Sequence, residues 1–147
     1  MNIIFKHYHN IVEKFSPLLS IAALFLLRLA LACPFWKAGL TKWHYFQNDQ
    51  LDTLYFIFED YNVPLLPVEV AAWAGTFAEL FLPILLVFGL FTRFAGLGII
   101  GLSAVIYSVD QNPDTFIWAA AAFTLVATGA GKASIDFFFR NCFACNK

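Results

Sequence analysis

Charge is scarce in this chain. Of its 147 residues only 13% are Asp, Glu, Lys or Arg, against about 25% in an ordinary soluble domain. Nine basic and ten acidic residues leave a net charge of −1. That balance provides no basic face of the kind that holds a nucleic acid, and excludes that partner. Cysteine is scarce too. Cys33, Cys142 and Cys145 are odd in number and lack a repeating spacing, which excludes a secreted disulfide framework. There is no zinc-protease helix, no phosphate-cradling glycine loop and no Ser-His-Asp order. No ligand set for haem, flavin or an iron–sulfur cluster is present either, so the chain carries no redox cofactor of its own. His7, His9 and His44 form no metal spacing within one helix and read as interfacial residues.

What is abundant is apolar surface: 61% of residues are hydrophobic and the mean hydropathy is +0.71. A domain of about 150 residues buries roughly 70% of its surface on folding, too little to hide such a composition from water. Lipid removes that requirement. Apolar runs over 18–36, 70–91, 94–109 and 115–131 are each near the length that crosses a hydrocarbon core of about 30 Å. Thr92-Arg93 forms a tight structural turn between the second and third, and Asp110-Gln111-Asn112-Pro113-Asp114 a polar turn between the third and fourth. In the first loop, Leu51, Leu54, Tyr55 and Phe58 recur at helical spacing beside Asp52, Glu59 and Asp60, which predicts a short amphipathic helix on the outer surface. The fold expected is an all-α integral membrane four-helix bundle forming one domain over 1–147, with a tail over 132–147. Lys6, Lys14, Arg93, Lys132, Arg140 and Lys147 flank one face, against Lys37 and Lys42 on the other. Basic residues are retained inside, so both termini are expected in the cytoplasm.

Arg28 and Glu79 interrupt apolar runs, and an ionisable group within a span is a functional-site candidate by default. Counted from the inner ends of their spans they lie at about 15 and 18 Å, which predicts an ion pair at mid-membrane. Two readings stand side by side: a packing clamp that fixes helix register, or a polar centre for a small molecule, a quinone headgroup or a proton. Lys37 and Lys42, at the outer end of the first span, either snorkel to headgroups or line an entrance to that centre. Cys142-Phe143-Ala144-Cys145 has the spacing of a redox dithiol or half a metal site, and equally suits two solvent-exposed thiols. Cys33 reads as a small packing residue. Small residues at Ala71 and Gly75, Ala74 and Ala78, and Gly96, Gly98 and Gly101 allow close helix approach within the bundle or in a homo-oligomer.

Several of these segments resemble one family. Arg28-Leu29-Ala30-Leu31-Ala32 with Phe35-Trp36-Lys37-Ala38-Gly39-Leu40-Thr41-Lys42 looks like the first helix of the DoxX family of small four-helix bacterial membrane proteins. Phe58-Glu59, Tyr61, Val63-Pro64, Ala78-Glu79-Leu80, Pro83 and Gly89-Leu90-Phe91-Thr92-Arg93 look like its second helix and following turn. Gly129-Ala130-Gly131-Lys132-Ala133-Ser134-Ile135-Asp136 is similar to the Ser-x-Asp ending of one branch. Phe116-Ile117-Trp118 departs from that branch, where a histidine often precedes the tryptophan. The resemblance implies a location in the bacterial inner (plasma) membrane and a subunit of a redox-associated system, with a quinone or a redox partner protein as what it holds. Other members linked to thiol, oxidative-stress or copper contexts imply the alternatives of a small-solute or metal-stress transporter or accessory, or a passive scaffold.

Overall fold

The structure, a computed structural model, describes residues 2–61 and 66–144, with side chains from Glu13 onward except those of residues 14, 140, 143 and 144. Six helices follow one another: α1 (Asn2–Gln47), α2 (Leu51–Tyr61), α3 (Val68–Phe88), α4 (Thr92–Asp110), α5 (Asp114–Thr128) and α6 (Ile135–Ala144). No strand occurs among the described residues. α1 packs chiefly on α3 and α4 on α5, with α3 against α4 closing the bundle and α2 lying across α1 and α3. The core joins Leu31, Phe35, Leu86, Ile99 and Leu125 from four helices.

The outside of the bundle is as apolar as the inside. Phe81, Phe94, Phe116, Ile117 and Phe123 each expose more than 60% of their surface. α1, α3 and α4 have the length and hydropathy to cross a membrane, and α5 is a shorter apolar helix. Large exposed apolar surface on long apolar helices is what lipid, not water, stabilises. The chain is an all-α membrane protein in contact with the bilayer.

Two elements differ from the sequence expectation. α1 continues past Trp36 to Gln47, so its apolar portion, Phe15–Gln47, runs 33 residues. Nothing between Lys37 and Gln47 breaks a helix, and the break comes at Asp49, which has φ 58°. The tail, read as a simple extension, forms α6. Ile135, Phe138, Phe139 and Cys142 fall at i, i+3, i+4 and i+7, an amphipathic signature that the apolar-run criterion passes over because the helix has only 10 residues. Ser134 caps it, its Oγ accepting the Phe137 N–H at 3.2 Å.

Glycine sets how closely α1 and α3 approach. A Cβ on Gly39 would stand 2.9 Å from Leu80 Cδ2 and 3.0 Å from the carbonyl carbon of Glu79. Pro83 lacks the N–H that would bond that carbonyl within α3, so the tightest part of this contact falls on a turn proline has loosened. Gly96 and Gly98 make comparable approaches to Val126 and Leu82, whereas Gly101 meets no other helix among the described residues. We expect Gly39→Ala to cost about 1–3 kcal/mol, because the Leu80 side chain can shift and the Glu79 backbone cannot. Thermal unfolding in detergent would show it, and an unchanged midpoint would mean that the helices separate freely here.

Candidate functional site

The expected Arg28–Glu79 pair is not formed. Glu79, 3% exposed, takes its ion pair from Lys42, whose Nζ donates to Oε1 at 2.5 Å. Arg28, 1% exposed, lies at the C-terminal end of α3, where Nη2 donates to the carbonyl of Ala133 at 2.6 Å. The error is one of register. Gly39 of α1 faces Glu79 and Leu80, whereas Arg28 lies against Gly89. The ten residues from Glu79 to Gly89 span about 15 Å of helix axis. Counting both charges from the ends of apolar runs placed them level because the run beginning at Leu18 starts well before the part of α1 that packs in the bundle.

Lys42 and Glu79 sit near the middle of α3's length and form part of the wall of a cavity of about 610 Å³. The cavity opens in the half of the bundle covered by α2. Its walls are mostly apolar: Pro34, Phe35 and Ala38 from α1, Leu54, Ile57 and Phe58 from α2, Ala71, Ala74 and Gly75 from α3, and Leu102 and Ile106 from α4. Polar groups are few: the Lys42–Glu79 pair, Thr41, and Tyr45, with Tyr61, Asp110 and Asn112 among the residues outside α1 and α3. Phe58 lies under Lys42, its ring centroid 5.3 Å from Nζ, a cation–π contact that holds the ammonium in place. Glu79 Oε2 is buried and accepts no hydrogen bond among the described residues. A buried acceptor without a donor is a costly state in a native protein, and such groups concentrate where something else supplies the donor. Burial, and then the nearby Asp110, Glu79 and Asp60 carboxylates, push the Tyr61 phenol above its ordinary range, so it stays a hydroxyl donor.

Other residues singled out in the sequence fall elsewhere. Lys37 is exposed and does not line the cavity. Arg93 is also exposed and does not hold the turn before α4; Asp136 does, its Oδ1 accepting the Phe91 N–H at 2.8 Å and its Oδ2 the Thr92 N–H at 3.0 Å. Asp136 thereby supplies the negative end that a helix N-terminus prefers, and steadies Phe91 at φ 48°. Arg28 stands close enough to feel the Asp136 charge. Arg28, the α3–α4 turn and Ser134-Ile135-Asp136 thus form one junction, which explains the Ser-x-Asp pattern structurally.

Cys33 is exposed on α1, not packed, and Cys142 is an exposed free thiol. Cys145, Val63 and Pro64 lie outside the described residues, as do the side chains of His7 and His9. His44 Nε2 contacts the Asn48 amide nitrogen at 2.7 Å. The described residues hold no group of three or more His, Cys, Asp or Glu that could bind a metal. Trp118 turns inward: it packs edge-on against Phe35, centroids 5.3 Å apart, and lines the cavity.

An apolar-surfaced helical bundle with a charged pair inside it defines a small polytopic membrane protein with an open-sided cavity. The sequence profile of the DoxX family matches residues 23–112, which contain Arg28, Lys42 and Glu79 but not the Asp136 junction or Cys142. An uncharacterised protein of Haemophilus influenzae is 31% identical over 128 residues, covering 78% of this chain and 81% of that relative. The chain belongs to the DoxX family. No solved structure matches it.

Proposed function

We propose that this protein is a membrane subunit of a redox-associated system that binds a small, mostly apolar ring compound of the quinone class in the cavity, with Lys42 and Glu79 as its polar contacts. The observation that carries this reading is the Lys42–Glu79 ion pair in the wall of an otherwise mostly apolar cavity, with the second carboxylate oxygen, Oε2, lacking a donor among the described residues. Ligand sites of this volume are typically apolar with a few fixed polar groups, as this one is. An ammonium beside a carboxylate offers a donor to a ring carbonyl and an acceptor to a ring hydroxyl, which suits both states of such a ring. Tyr61 at the same cavity adds a hydroxyl donor. The chain's own residues bind and orient the ring; electrons would pass to and from a partner protein. The reading includes residence in a bacterial inner membrane with both termini in the cytoplasm, supported by the basic bias of one face.

The decisive experiment extracts the purified protein for bound quinone and titrates a short-chain quinone analogue against Trp fluorescence, since Trp118 lines the cavity. Glu79→Gln should leave a folded protein that binds the analogue about 10-fold or more weakly, the scale of losing one charge-assisted hydrogen bond. Folded wild-type protein that neither retains quinone nor responds to the analogue would reject the reading. A solute pathway, the second reading, would be favoured if vesicles containing the protein released a small polar solute.

A further inference from the structure

A second cleft, of about 520 Å³, lies at the opposite end of the bundle, between the start of α4, the Thr128–Lys132 crossing and the start of α6. We infer that it binds the phosphate of an anionic phospholipid headgroup. Arg93 and Lys132 line it, both exposed, and neither forms an ion pair among the described residues. Asp136 is the acidic residue in the lining, but its two carboxylate oxygens already accept the Phe91 and Thr92 N–H groups and its charge is opposed by buried Arg28. The cleft therefore keeps two cations facing outward against a carboxylate that is already engaged.

Phe91 and Phe94, also in the lining, expose 60% and 72% of their surface and meet edge to face at 6.3 Å. The cleft also sits at the end of membrane-crossing α3 and α4, the level at which headgroups lie. Two cations and two exposed aromatic rings lining one cleft match a phosphate attached to acyl chains; a free phosphate ion would have no use for the rings. Basic pockets between membrane helices hold lipid headgroups by the same charge complementarity. Arg93 and Lys132, otherwise without a packing role, become lipid-contacting residues.

The test reconstitutes the full chain in nanodiscs of mixed phosphatidylglycerol and phosphatidylcholine and counts retained lipid by native mass spectrometry. Wild-type protein should retain phosphatidylglycerol in preference. The double variant Arg93→Gln/Lys132→Gln should weaken that preference by roughly 10- to 30-fold, on the scale expected for two cations near a membrane surface. Arg93→Lys should keep the preference, and Lys37→Gln, an exposed lysine outside the cleft, should not change it. Because Arg93 and Lys132 are exposed, thermal unfolding of the double variant should match wild type. An unchanged preference in the double variant, or displacement of the lipid by millimolar inorganic phosphate, would overturn the inference.

Discussion

Replacing Lys42 with methionine will destabilise the protein by about 3–5 kcal/mol, because it leaves the Glu79 carboxylate buried without its counter-ion. Glu79→Gln will cost less, about 1–3 kcal/mol, because a neutral amide can still accept from Lys42 and the partly exposed ammonium can find water or headgroups. The double variant Lys42→Met/Glu79→Leu should return close to wild-type stability, since apolar replacement of a buried pair is often neutral or stabilising. Denaturant unfolding in detergent measures all three, and the double-mutant cycle isolates the coupling. The same double variant separates the two roles left open for the intramembrane charges. Restored stability with lost analogue binding identifies a binding site. Restored stability with full binding would reduce the pair to a packing clamp and defeat the proposed function.

The second large effect lies at the other end of the molecule. Asp136→Ala will remove the acceptor of two N–H groups at the start of α4 and the charge that faces Arg28. Loss of the cap alone costs about 1 kcal/mol. Arg28, 1% exposed and bonded to the Ala133 carbonyl, also loses the favourable field of Asp136, which brings the expected total to about 1–2 kcal/mol. Asp136→Asn, which keeps one acceptor but no charge, should fall between. The melting temperature should drop in the order wild type, Asn, Ala, and protease cleavage in the crossing between α5 and α6 should accelerate in the same order. If Asp136→Ala melts with wild type, the junction does not hold these helices together.

Much of the architecture could be read directly from residue order. The runs over 70–91 and 94–109 correspond to α3 and α4 because apolar length, a proline-bounded start and the Gly89 turn are local signals. The helix in the first loop was equally legible, its period marking Leu51, Leu54, Tyr55 and Phe58, of which Leu54 and Phe58 are buried. The junction was visible only as a motif: Ser134 and Asp136 stand out in sequence, but the N–H groups that donate to the Asp136 carboxylate lie on a different segment, 44 and 45 residues away. The partner of Glu79 was not legible at all. Lys42 read either as an interfacial lysine or as the lining of an entrance, because hydropathy ends the first span at Trp36, while the helix itself continues.

Residue order alone determined the solvent, the approximate place of the apolar helices, and which few charged side chains lie within them, since each follows from local composition and period. Which charge meets which, and whether a cavity lies beside them, was decided by the tertiary structure. Those depend on the axial register of α1 against α3, set by the flat surface of Gly39 against Leu80 and by Gly89 seating Arg28. A shift of a few residues along one helix moves a side chain many ångströms in depth without altering any local pattern.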